Sequence, residues 1–182
     1  MAEGKITLYI ATSVDGYIAT EDGGVSWLEE YQDETETDDG DGGYEEFFDS
    51  VDCLVMGSTT YEQVLGFGEW PYEQKPTFVI TRRDLPLANS AVELFDGNLD
   101  SLARELIQQH EYIWLVGGAQ LAQAFLRIEH VNTLHLSLIP VLLGSGIPLF
   151  VNIDGPHGLK LIESTALSSG IVELQYSVKM NQ

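Results

Sequence analysis

The chain has 182 residues, 44% of them hydrophobic, which suits a single domain (residues 1–182) with a full core. Its 8 basic and 29 acidic residues give a formal net charge of −21 at pH 7, which argues against nucleic acid or an anionic membrane surface as a partner. A lone cysteine, Cys53, rules out an intramolecular disulfide, and no apolar run is long enough to span a bilayer, so the expected location is cytoplasmic.

"KITLYIATS" (Lys5 to Ser13) reads as a first buried strand, closed by the turn residues Asp15 and Gly16. The segment Glu29 to Asp49 is about half acidic; no register of a calcium-binding loop fits it, and it reads as a solvated loop entering a helix near Tyr44. Two origins of the acidity stay open: this one loop, or adaptation of the whole surface to high salt. "CLVMG" is a second strand, ending at Gly57 and leading into the helix "TTYEQVL". "TFVIT" (Thr77 to Thr81) and "AVELF" follow as strands. Leu99, Leu102, Ala103, Leu106 and Ile107 then share one helical face, with Asn98 as its cap.

"YIWLV" is the next strand, and the helix after Gly118 carries Leu121, Phe125 and Leu126. "TLHLSLIPVLLG" starts as a strand. "LKLIESTAL" and "IVELQYSVKM" flank "SSG" as a hairpin, the last run alternating Val172, Leu174, Tyr176 and Val178 with the polar Glu173, Gln175 and Ser177 of a half-exposed strand. The expected fold is α/β: a mixed, mostly parallel central sheet of about eight strands between helical layers, with a C-terminal antiparallel hairpin.

In such sheets ligands gather at the carboxyl ends of the strands. Three strand ends qualify here. Gly57, Ser58, Thr59 and Thr60 open a helix whose free N–H groups and hydroxyls suit phosphate. Thr81, Arg82 and Arg83 concentrate two of the eight basic residues at the next, and Gly117 and Gly118 mark a third. Together they describe a polyanion site. A dinucleotide fingerprint and a nucleophile elbow are both missing, and "GFGEW" follows a helix, so it reads as a loop. His110, His130, His135 and His157 lack metal-ligand spacing, so no metal is expected; His135, between Leu134 and Leu136, reads as a sheet-face residue.

"ITLYIATSVDGYIA", "VMGSTTYE", "FVITRR", "LVGGAQL" and "LHLSLIPVLLGSGIPLF" resemble, in order, the landmarks of the dihydrofolate reductase-like fold. The start "SVDGYIA" and the end "PVLLGSGIPLF" are most similar to the reductase domain of riboflavin-biosynthesis deaminase–reductases and its stand-alone relatives. The resemblance implies that Gly117 and Gly118 are joined by a cis peptide and face the cofactor. A side chain at either would block close backbone approach. It further implies that Ala11 and Ile18 flank the nicotinamide of NADPH and that Thr59 and Thr60 meet phosphates. Arg82, with Arg83, would take the 2′-phosphate, and Ala119, Gln120 and Leu121 would line the pyrophosphate. Tyr9, Asp15, Trp27, Phe48 and Ser137 fall on the substrate side, where aromatics suit a flat heterocycle.

Two departures stand out. Ser58 occupies a position where the family usually has arginine, removing a charge-assisted contact worth about 1.5–3 kcal/mol. The pocket carboxylate of dihydrofolate reductases maps to Gly43 or Tyr44, leaving Glu45, or Asp41, as the candidate acid. The expected activity is NADPH-dependent hydride transfer to a small pterin- or pyrimidine-like heterocycle. The alternatives are a ribosylaminouracil-type reductase of riboflavin synthesis, a dihydrofolate reductase, or a binder without turnover. The acidic Glu29 to Asp49 loop is also a candidate docking tail for a basic protein, and a homodimer through a sheet edge suits the family.

Overall fold

A computed structural model describes residues 3–32 and 42–179. The first strand, β1 (Lys5–Ser13), sends Ile6 and Leu8 to one face of the sheet and Tyr9 to the other. It is followed by β2 (Tyr17–Ala19), a 3₁₀ turn over Ser26–Leu28, and the short helices α1 (Glu29–Gln32) and α2 (Tyr44–Ser50). Then come β3 (Cys53–Gly57), α3 (Ser58–Gly66), β4 (Thr77–Ile80), β5 (Val92–Phe95), α4 (Leu99–Gln109), β6 (Tyr112–Gly117) and α5 (Ala119–Arg127). The C-terminal part holds β7 (Thr133–Ile139), β8 (Ile147–Pro148), β9 (Leu159–Ala166) and β10 (Val172–Val178).

Eight strands form one sheet in the order β5-β4-β3-β6-β1-β7-β10-β9. β5 through β7 pair in parallel, and β10 runs antiparallel to both β7 and β9. The mixed sheet with an antiparallel hairpin is the expected one. Its hairpin turns at Gly170 (φ 89°), where the Leu167 N–H donates to the Ile171 carbonyl. The Asn98 cap is also in place: its side-chain oxygen accepts from the Ser101 N–H at 2.9 Å.

α4 and α5 cover one face, burying Leu102, Leu106, Leu121, Phe125 and Leu126 against Ile6, Leu8, Val55 and Leu115. On the other face Tyr61 and Val64 of α3 pack with Tyr9, Leu54, Met56 and Trp114, and Phe47 and Phe48 of α2 lie against them. Cys53 is fully buried, as a small apolar residue should be.

Three features differ from the sequence reading. Tyr17–Ala19 and Ile147–Pro148 make a separate two-stranded sheet, too short for a periodic signal. Glu29 to Gln32 of the acidic segment are helical, while the candidate acid Asp41 lies outside the described residues. Glu173 points inward: it is 7% exposed and held against Ser137 and His135 of β7.

Candidate active site: two clefts meeting at a glycine pair

A cleft of about 440 Å³ opens where β3, β4 and β6 end. Gly57, Ser58, Thr59 and Thr60 from the start of α3 line one side; Gly118, Ala119, Gln120 and Leu121 from the start of α5 line another, with Ile18 between them. Both helices have a glycine at the cap position and no side-chain cap bond, which leaves first-turn N–H groups to the cleft. The Gly117–Gly118 peptide is cis.

A second cleft, about 370 Å³, lies at the end of β1 and is walled by Tyr9, Tyr31, Tyr44 and Trp114, with Ala11, Ser137 and Glu173 on its floor. Its aromatics are ordered by packing. Trp114 donates its indole N–H to the Tyr9 carbonyl at 3.0 Å, and Tyr44 and Phe47 meet Trp114 edge-on. The Tyr9 ring stacks on His135, centroids 3.8 Å apart and 4° from parallel.

The glycine pair is the seam between the clefts. A Cβ on Gly117 (φ 120°) would stand 3.0 Å from Cδ1 of Ile10, which lines the aromatic cleft. On Gly118 it would meet Thr60 Oγ1 at 3.4 Å and Ile18 Cδ1 at 4.0 Å, in the other. Only glycine keeps both approaches open.

Several candidates lie elsewhere. Arg82 and Arg83 are exposed beyond the lining of the first cleft, and Arg83 makes a two-pronged ion pair with Glu62, one arm at 3.1 Å. That pair raises the guanidinium's pKa and lowers the carboxyl's. Thr81 is buried, its hydroxyl oxygen accepting from the Arg83 N–H. Asp15 is a loop staple: it accepts from the Ser13 hydroxyl and from the Leu143 and Gly144 N–H groups, which hold its carboxyl below the usual range. Trp27 is half-buried with its indole nitrogen enclosed, and lines neither cleft. Phe48 packs against Tyr72 and Trp114, with Lys75 Nζ 4.7 Å over its ring.

Glu45 is exposed on the first turn of α2, where the helix dipole favours a carboxylate, and it lines neither cleft; its neighbour Tyr44 does. The carboxylate on the aromatic cleft is Glu173, whose oxygens accept from Ser137 Oγ at 2.7 and 2.9 Å, with His135 Nε2 2.9 Å from Oε2. Alternation marked Glu173 as solvent-facing. The signal available was the His135–Ser137 spacing, which puts two polar side chains on one face of a largely apolar strand. Among the described residues, no group of three or more His, Cys, Asp and Glu side chains is arranged to hold a metal ion, and no helix is long and apolar enough to cross a membrane.

Comparison with known proteins agrees with this architecture. The protein YwjB of Bacillus subtilis (strain 168), itself uncharacterized, is 35% identical over 176 residues, covering 96% of this chain and 98% of its own. A candidate riboflavin biosynthesis protein of Shewanella sp. PV-4 superposes with a TM-score of 0.83 at 28% identity, over 97% of this chain and 99% of the other. The dihydrofolate reductase of Enterococcus faecalis, solved with NADP(H), shares the fold at 16% identity, TM-score 0.65, over 98% of each chain. Residues 4–173 match the RibD C-terminal domain, and the chain belongs to that family of reductase-type domains with a dihydrofolate reductase-like fold.

Proposed function

We propose that the protein is a cytoplasmic, NADPH-dependent reductase acting on a C=N or C=O bond of a small flat heterocycle. The observation that carries this reading is the glycine seam, which joins a cleft of helix starts and hydroxyls to one of aromatic rings. The first cleft fits a dinucleotide's phosphates at its two helix starts, where Gly57 to Thr60 and Gly118 to Ala119 present small side chains and free N–H groups. NADPH bound there supplies the hydride. Gly57 to Thr60 and Gly118 to Leu121 hold its phosphates. Ile18 stands beside the glycine pair and Ala11 on the aromatic side, where they would flank the nicotinamide, and Arg82 would be the cation for the 2′-phosphate.

The substrate would stack in the aromatic cleft, excluding water as it does so. Among the described lining residues that cleft has a carboxylate and no lysine or arginine, which favours a pterin- or pyrimidine-like compound without a phosphate arm. The family's riboflavin-type reduction is the nearest alternative, since the matched domain comes from that pathway. A homodimer is compatible with β9, whose Leu159, Leu161 and Ile162 are exposed along the sheet edge.

Thermal melting with each nucleotide tests the cofactor. NADPH is expected to raise the melting temperature more than NADH, and Arg82→Ala to erase the difference through a loss of about 1.5–3 kcal/mol. Arg83→Ala should matter less, because Glu62 already engages that guanidinium. Equal shifts by the two nucleotides in the unaltered protein would defeat the assignment. Absorbance of NADPH with a panel of pterins and pyrimidines then separates a reductase from a binder.

A further inference from the structure

We infer that Glu173, held by Ser137 and backed by His135, delivers the proton that accompanies hydride transfer, drawing it from a second groove that both residues border. The inference rests on the reductase reading and names the residues that complete its chemistry. Strand register carries the first part. Ala11, Ser137 and Glu173 stand in one row across β1, β7 and β10. Two strand spacings separate the ends of that row, about 10 Å. A heterocycle lying over Ala11 therefore reaches Glu173 with its far edge.

The second part is connectivity. Glu173 lines the aromatic cleft and also a groove of about 620 Å³ that His135 shares with Lys5, Thr7, Glu163 and Gln175. The two side chains are nearly closed to solvent, 4% exposed for His135 and 8% for Glu173, yet each borders one of these openings. A buried carboxylate is costly unless its charge is met, and here one hydroxyl and one imidazole meet it, fewer partners than its two oxygens can accept. Structural pairing alone does not require the carboxylate to sit between two water-accessible spaces.

The step balances as follows. The carbon of the substrate C=N bond gains the hydride, with its two electrons, as NADPH becomes NADP⁺. The nitrogen gains the proton of the Glu173 carboxyl, so the π bond is replaced by C–H and N–H. A proton from bulk solvent then restores the Glu173 carboxyl by way of His135, whose ring takes it up from the groove as Nε2 releases its own, so that neither an imidazolate nor a hydroxide is left behind. Glu173 is the group touching substrate; His135 acts through it. The other titratable groups facing the pair are Tyr9 on β1, Tyr44 and Glu46 on α2, Tyr31 on α1, Glu163 on β9 and Lys5 at the groove rim.

The test uses 2,4-diaminopyrimidine, whose ring nitrogen takes a proton with a change in ultraviolet absorbance, added to the full chain without nucleotide. Bound to the unaltered protein, the probe is expected to stay protonated at least one pH unit higher than in solution, a tenfold shift of the equilibrium. Glu173→Gln should abolish the shift. His135→Gln should keep binding but shrink the shift, and Glu173→Asp should restore part of it. Melting curves establish that each variant folds, and Ser137→Ala, expected to weaken the shift, serves if Glu173→Gln does not. Failure of the unaltered protein to bind the probe, binding it neutral, a full shift in Glu173→Gln, or loss of the shift in Glu45→Gln instead would each overturn the inference. Because no NADPH is present, a failed nucleotide shift would sink the cofactor assignment and leave this result standing by itself.

Discussion

The two clefts share the Gly117–Gly118 seam and are made of different material. The one beside α3 and α5 sets two consecutive runs of helix-start residues, Gly57 to Thr60 and Gly118 to Leu121, against aliphatic side chains such as Ile18, Ile80 and Leu99. The one beside Tyr9 is built from large side chains brought together from β1, α2, β6, β7 and β10. In the first, function and stability are separable at Gly57 to Thr60 and at Gly118, which stand outside the buried clusters, although Leu121 beside them belongs to the core. In the second they are not: Tyr9 and Trp114 are cleft walls and also belong to the buried cluster under α2 and α3.

Trp114→Ala tests the second half of that contrast and carries the largest expected effect. Losing a buried indole and its bond to the Tyr9 carbonyl should cost about 3–5 kcal/mol in urea unfolding. If stability barely changed, the aromatic wall would be a separate lining after all.

Gly118→Ala tests the first half. The new methyl would make ordinary contacts with Thr60 and Ile18, so the melting temperature should move little. It would nevertheless protrude where a dinucleotide has to approach, and NADPH affinity should fall about tenfold, within the 1–3 kcal/mol that overpacking usually costs. Fluorescence titration measures it; unchanged affinity would place the cofactor elsewhere.

The smallest effect is expected at Asp15, which joins β1 to the loop before β8. Its carboxyl is held below the usual range, first by the Ser13 hydroxyl and then by the Gly144 and Leu143 N–H groups. A lowered pKa means the folded loop prefers the ionised form. The contribution is therefore present at neutral pH and lost as pH falls through the lowered value. Hydrogen-exchange protection of the Leu143 and Gly144 amides, corrected for intrinsic rates, should be lower in Asp15→Asn than in the unaltered protein at neutral pH. The two should converge in acid.

The same division explains what could be read in advance. β1, the Asn98 cap and the hairpin at Gly170 follow from local patterns, and structure and sequence agree there. The helix-start lining of the first cleft was legible as a cluster because Gly57 to Thr60 and Gly118 to Leu121 each form one run. Glu173 was not, since its partners Ser137 and His135 are 36 and 38 residues away and reach it only through the β7–β10 register. Period-two alternation assumes one wet face, and the aromatic cluster removes that wet face where Glu173 stands. Arg83 shows a different limit: two adjacent arginines suggest an anion, and Glu62 on α3 supplies one from within the chain.

Cys53 lends the molecule a reporter of its own opening. Burial, with the charge of Asp52 added, pushes its thiol up to about 12, so the native protein should ignore maleimides and disulfide reagents at neutral pH. It lies on β3, which itself ends at Gly57, between β4 and β6 and in the core beneath α4 and α5, and only an excursion that opens this core uncovers it. Pulsed alkylation of this one sulfur would therefore clock global unfolding, indifferent to motions at the rim of either cleft.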